Sequence, residues 1–354
     1  MSAQERKGIY LVKFEQTSDF TTYSSLGIAD EEVIHEFNIA RMLECEFSDE
    51  QMENIKNNAN VTYVERDIPV HAYEQKVPYG ISQIQAHQVH EKGYKGSGVK
   101  LGILDTGIDA SHEDLNVADG FSVFKSGEDE DPYHDGSGHG THVAGTAAAR
   151  DNDTGVVGVA PEAELYAVKV LDSNGSGSSA GVVRGIEWAI QNEMSVINMS
   201  LGSSEPSRAI RDALDAAYNE YDILVVAAAG NEGNEDGTGN TVGYPAQHES
   251  TIAVAAVDQN NERAPFSSTG PGVDITAPGV SIFSATPDNN YENLNGTSMA
   301  SPHVAGAAAV LRAALPDASA AEIRERMVST AKNIGDNREW YGNGLLQLND
   351  ALGQ

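Results

Sequence analysis

The chain has 354 residues, 40% hydrophobic and 21% charged, a composition that excludes a disordered or fibrous polymer and leaves ample chain to bury a core. Lys and Arg number 22 against 53 Asp and Glu, a formal charge of −31 with an isoelectric point near 4.5; phosphate backbones and anionic lipid are repelled, so nucleic-acid binding is excluded as the leading reading. No run nears the roughly 18 apolar residues of a membrane span, and one cysteine, Cys45, allows no internal disulfide.

The first seventy-odd residues read as a small separate unit. Ile9–Phe14 has the texture of a strand, Glu31–Phe37 a weaker helical one. Leu43, Cys45 and Phe47 alternate with Glu44 and Glu46, which places the three on one buried face and makes Cys45 a core filler. Ser48 and Gln51 form a capping box that opens a helix to about Asn57, and Val61–Val64 is strand-like. The order strand, helix, strand, helix, strand predicts a small α+β sandwich of ferredoxin-like type. Residues 67–74 read as an extended connector.

Beyond it the texture changes. Val99–Asp105, Glu164–Val170, Val196–Ser200 and Ile223–Ala228 are short apolar runs, separated by helical stretches such as Val182–Asn192 and Ser207–Tyr218. Runs apolar on both faces alternating with helices predict an α/β fold with a parallel sheet covered on both sides. Functional residues in such sheets gather at the carboxyl ends of strands. Three segments fit that expectation: Leu104-Asp105-Thr106-Gly107, Gly138-His139-Gly140-Thr141-His142, and Gly296-Thr297-Ser298-Met299-Ala300 before an Ala- and Leu-rich helix over Val304–Leu315. A serine hydroxyl is a poor nucleophile at neutral pH. It needs an imidazole to take its proton, a carboxylate to orient that imidazole, and donors where negative charge develops.

These segments resemble the three signature motifs of the subtilisin family of serine proteases, in the order that family itself uses. The resemblance runs from about Val77 to the C-terminus and, more faintly, over residues 9–73. It implies a three-layer parallel-sheet catalytic domain over 74–354 and an N-terminal propeptide over 1–73, a temporary chaperone and inhibitor removed by self-cleavage between Tyr73 and Glu74. Asp105 would orient, His139 act as general base and then acid, and Ser298 form the acyl-enzyme. Asn231, in Ala229-Gly230-Asn231-Glu232-Gly233, would donate to the oxyanion. Ser200, Leu201 and Gly202 would pair with extended substrate, and Gly230 and Gly243 would line a primary pocket open to large apolar residues. Ser179 stands where many relatives place tyrosine, which implies a more open outer subsite.

The resemblance also implies calcium. Gln75, Asp114 and Asn152 would bind it by side chains, with the carbonyls of Arg150, Thr154 and Val156; Asp274, with carbonyls near Ala246, His248 and Thr251, would make a second, weaker cation site. His142 and His303 are expected to pack and hydrogen-bond, and the acidic run Glu128–Asp131 to form a solvated loop. The enzyme is expected to be a secreted zymogen, its leader absent from this sequence, monomeric once matured and broad in its protein substrates. An intracellular relative and a catalytically silent peptide binder are the alternatives. Residues 1–73 carry 14 acids and 6 bases, and residues 74–354 carry 39 and 16; docking of two such units would strengthen with salt.

Overall fold

The structure, a computed structural model, describes residues 7–15, 20–68 and 75–353. Tyr73 and Glu74, the expected cleavage pair, lie outside the described residues. By its internal contacts the chain divides into Met1–Ala72 and Tyr73–Gln354.

The smaller unit contains β1 (Lys7–Phe14), β2 (Val33–Phe37), β3 (Met42–Ser48), α1 (Asp49–Lys56) and β4 (Val61–Arg66). Its antiparallel sheet has the order β2-β3-β1-β4, the ferredoxin-like strand order with 3-10 turns at Phe20–Leu26 and Asp30–Glu32 where the first helix would stand. The helix expected over Glu31–Phe37 is a strand instead. Val33 and Ile34 are β-branched and Phe37 aromatic, side chains that suit a pleated surface paired to β3 better than a helix. The capping box forms as the sequence predicts: Gln51 N donates to Ser48 Oγ at 3.3 Å and Ser48 N to Gln51 Oε1 at 3.2 Å. Leu43, Cys45 and Phe47 are fully buried, and burial pushes the Cys45 thiol up to about 12, far from a reactive thiolate.

The larger unit runs α2 (Tyr79–Gln83), α3 (Ala86–Glu91), β5 (Lys100–Asp105), β6 (Val117–Ser122), α4 (His139–Ala148), β7 (Glu164–Lys169), α5 (Ser179–Gln191) and β8 (Val196–Met199). It continues through α6 (Arg208–Asn219), β9 (Leu224–Ala228), β10 (Thr251–Val257), β11 (Ile275–Pro278), β12 (Ile282–Thr286), β13 (Asn290–Leu294), α7 (Thr297–Ala314), α8 (Ala320–Ser329), α9 (Arg338–Tyr341) and α10 (Leu348–Leu352). Seven strands form one sheet in the order β11-β10-β9-β8-β5-β7-β6, every pair parallel; β12 and β13 make a separate antiparallel hairpin. Strand alternation divides the side chains between two cores. Leu101, Ile103, Leu224 and Val226 pack with α3, α4, α7, α8 and α10 on one face. Leu104, Val225 and Ala227 pack with α5 and α6 on the other. This is a three-layer α/β domain, each fully buried Leu, Ile or Val contributing roughly 1.5–3 kcal/mol. Among the described residues no helix is long and apolar enough to cross a membrane.

Candidate active site

Asp105 ends β5, which lies between β8 and β7 in the sheet. Its carboxylate is fully buried; Oδ1 accepts from the Thr106 backbone N at 2.8 Å and meets His139 Nδ1 at 2.7 Å. A carboxylate only accepts, so Nδ1 carries the proton and Nε2 is the free base. His139 is the first residue of α4, whose N-cap, Gly138, has φ +78°, a conformation that suits glycine. Gly140 lets the helix come close: a Cβ there would collide with the Gly107 carbonyl. Burial lowers the His139 pKa, but the Asp105 charge and hydrogen bond, with the Asp135 charge, outweigh it and raise the imidazole above its ordinary value.

Ser298 is the second residue of α7, which begins at Thr297 and runs through Pro302, several residues earlier than the expected start at Val304. Proline has no N–H, so the Ser298 carbonyl four residues back has no helical donor. Ser200 Oγ supplies one at 2.8 Å. Ser200 Oγ in turn accepts from Asn198 Nδ2 at 3.0 Å, and Asn198 Oδ1 accepts from Ser301 Oγ at 2.6 Å. The Ser298 hydroxyl donates to the Ser200 carbonyl at 3.3 Å. Asn231 is held by its oxygen, which accepts from Thr297 N at 2.9 Å and Thr297 Oγ1 at 3.0 Å; its Nδ2 is left as a donor. A methyl group built on Gly296 would stand 3.6 Å from both Asn231 Nδ2 and Ser298 N. Two N–H donors, one in the first turn of a helix, therefore border a single space.

Two cavities flank these groups and share Ser200, Leu201, Gly202 and Ser203. One, of about 680 Å³, is lined by Gly230, Asn231, Gly243 and Ser298. Gly230 has φ +113° and donates its N–H to Thr297 Oγ1 at 3.1 Å. The other, of about 480 Å³, is lined by His139, Leu171, Ser179, Val182 and Ile210. Ser200–Gly202 continue from β8 outside any strand, along the border of both.

Around the first expected cation position, an amide nitrogen stands among the expected oxygens. Gln75 Nε2 donates to the carbonyls of Arg150 at 2.6 Å and Val156 at 3.0 Å, and to Asn152 Oδ1 at 3.5 Å. Thr154 N and Oγ1 each donate to Asn152 Oδ1 at 3.2 Å. The Arg150 guanidinium is turned away to Asn116. Asp114 is fully buried; Oδ2 accepts from Val156 N at 2.7 Å and Tyr291 Oη at 3.3 Å, while Oδ1 has no hydrogen-bond partner. Burial raises its carboxyl above the ordinary range. Among the described residues no three His, Cys, Asp or Glu side chains converge as a metal cluster, so any cation here rests mainly on carbonyl and amide oxygens.

At the second expected cation position the named groups have partners within the protein. Arg324 Nη2 lies 3.1 and 3.2 Å from the two Asp274 oxygens, and Thr251 Oγ1 donates to the carbonyls of Ala246 at 3.1 Å and His248 at 2.7 Å. A guanidinium already compensates that carboxylate.

Three groups near the site escape a motif search. Asp135 is buried against Thr106 and the start of α4. Lys169, fully buried at the end of β7, donates to the Thr106 carbonyl and pairs with Asp129 at 3.0 Å. Asp129 also accepts from Ser173 Oγ at 2.7 Å, so the acidic run is anchored at this residue and is not simply a solvated loop. The signals in the sequence are the acidic run Glu128–Asp131, which contains Asp129, and Lys169, a charge closing the apolar stretch Leu165–Val168.

The subtilase family model matches residues 96–344. The chain is 49% identical to Subtilisin E of Bacillus subtilis (strain 168) over 354 residues, 99% of this chain and 91% of the relative. It is 57% identical to Subtilisin DY of Bacillus licheniformis over 277 residues, 78% of this chain and 99% of the relative. A Thermostable alkaline protease of Halalkalibacterium halodurans is 46% identical over 350 residues, 99% of this chain and 93% of the relative.

Proposed function

Since this chain belongs to the subtilase family, hydrolases of peptide bonds, we propose that Asp105, His139 and Ser298 are its catalytic triad and that it is an autoprocessed endopeptidase. The observation that carries the reading is the Asp105–His139 bond of 2.7 Å beside one of two cavities that share Ser200–Ser203, the other lined by Ser298 and Asn231 with two free N–H donors. His139 Nε2 takes the Ser298 hydroxyl proton as Oγ attacks the scissile carbonyl carbon. Negative charge gathers on the former carbonyl oxygen and is met by Ser298 N–H and Asn231 Nδ2. The C–N bond breaks, the imidazolium protonates the departing amine, and an acyl-Ser298 ester remains. Water, deprotonated by the same imidazole, releases the acid and regenerates the hydroxyl. Asp105 keeps Nδ1 protonated and stabilises the imidazolium. Gly230 and Gly243 leave the primary pocket open, which favours cleavage after large apolar or aromatic residues.

Residues 1–73 act in this reading as inhibitor and folding aid, cut from the enzyme after Tyr73. The unit Tyr73–Gln354 supports that division, as does a relative of enzyme length that aligns over 277 residues and 99% of itself. Calcium fits the first cation site. Asp114 Oδ1 is a buried anion without a donor, and Asn152 Oδ1 with the Arg150 and Val156 carbonyls already converge on one amide. A half-turn of the Gln75 amide presents its oxygen to the same ring, giving the hard-oxygen set that calcium takes. The ion would supply structural charge compensation there and takes no part in acyl transfer. Secretion is part of the same reading.

The test is a Ser298→Ala chain expressed alone. It stays at full length and takes no label from an organophosphorus reagent, whereas the unaltered chain shortens after Tyr73 and is labelled at Ser298. Self-shortening of the Ser298→Ala chain would overturn autoprocessing.

A further inference from the structure

We propose that Asp135 is a positioning residue for the acid–base pair: its buried carboxylate fixes where His139 stands against Asp105 and adds a second negative charge four residues before the imidazole. The proposal rests on His139 acting as general base.

The geometry is a closed set of bonds. Asp135 is 6% exposed. Its Oδ1 accepts from Thr106 Oγ1 at 2.7 Å and Gly138 N at 2.9 Å; its Oδ2 accepts from Thr141 N at 2.8 Å and Thr141 Oγ1 at 2.6 Å. Thr106 is the link to the acid. Its N–H donates to the same Asp105 oxygen that holds His139, and its hydroxyl accepts from Gly140 N at 2.9 Å. Thr141 Oγ1 also accepts from Asp109 N at 3.0 Å. The first amides of α4 have no partner within the helix, and Gly138 has no side chain to offer them. Asp135 and Thr106 cap them instead. One carboxylate thereby ties the end of β5 to the helix whose first residue is the general base.

Its charge also has a direct use. Among the described residues Asp135 has no Lys, Arg or His ion-pair partner within 4.0 Å, so amide and hydroxyl donors alone solvate it. Across the cavity that His139 lines stand Glu205 and His248; few charges lie on the elements packed against His139 itself. On α4, His142 is neutral, with a pKa pushed down to about 4. On α7, His303 is likewise about 4. The β12 segment Ile282–Thr286 carries no charge, and Lys169 on β7 is paired with Asp129. Asp105 and Asp135 remain as the groups that favour imidazolium, the form reached in each proton transfer.

The test compares the mature unaltered enzyme with Asp135→Asn, Thr106→Val and Thr106→Ser, normalised by active-site titration. Asparagine keeps the shape but loses the charge and cannot accept from both ends. In Asp135→Asn, kcat falls by up to about 10²-fold with KM nearly unchanged, and the acid limb of kcat/KM against pH moves to lower pH. Thr106→Val loses turnover without that pH shift, and Thr106→Ser restores it. If Asp135→Asn does not mature, the His139 ring is titrated by NMR in full-length Ser298→Ala and Ser298→Ala/Asp135→Asn chains, where the second titrates at lower pH. An unmoved acid limb or ring titration, or a loss confined to thermal stability and titratable sites, overturns the positioning role. A His139→Ala enzyme as active as the unaltered one would instead overturn the protease reading.

Discussion

A neutral imidazole in a core needs one acceptor for its one N–H. His142 Nε2 meets the Ile282 carbonyl at 2.9 Å and His303 Nδ1 meets the Met299 carbonyl at 2.8 Å, while His142 Nδ1 and His303 Nε2 have no partner. A second proton on either ring would be buried without an acceptor, and burial holds both at about 4. In the unfolded chain each protonates near 6.5. The folded state therefore resists protonation, and stability present above pH 6.5 is lost as pH falls toward 4, by about 3 kcal/mol per histidine. Urea unfolding across that window should show the decline, and His303→Asn should flatten it; an unchanged slope would count against the assignment. Packing roles for both histidines were legible from their setting in the sequence. Asp135 and Thr106 were not, because their importance lies in bonds between a strand end and a helix start that are 29 residues apart.

Secondary-structure elements show the same division. Short apolar runs mark β5, β7, β8 and β9, and a capping box marks α1, because those signals are local. The strand at Val33–Phe37 carries a helical texture in isolation because it has only five residues, and its partner, β3, decides its state. The start of α7 was misplaced because proline ordinarily ends a helix; here a side chain from beyond β8 replaces the donor that Pro302 lacks. That replacement is testable. Ser200→Ala leaves the Ser298 carbonyl unsatisfied in a buried place, so unfolding free energy falls by about 1–3 kcal/mol and kcat drops as the Ser298 backbone shifts. A Ser200→Ala enzyme with unaltered stability and kcat would mean that water or a shifted backbone makes good the loss.

For the whole molecule, net charge is the property that composition set most plainly. With −31 on 354 residues, like charges repel across the folded surface and favour expansion. Salt at 0.15 M shortens the Debye length to about 8 Å, so Tm should rise between low salt and 0.15 M NaCl at fixed calcium; a falling Tm would show that attractive ion pairs such as Lys95–Asp151 and Arg324–Asp274 dominate. The sheet order carries a further consequence. Strand β5 pairs with β7 and with the central strand β8, and β8 with β9, each partner reached only after a helix or long crossover. Such pairings close large loops before any contact repays them, so folding is slow. A barrier high on the way in is also high on the way out when native packing is intact. For a protein surrounded by copies of itself that cut exposed chain, longevity is then a matter of rates: how seldom one molecule opens while another is near enough to bite.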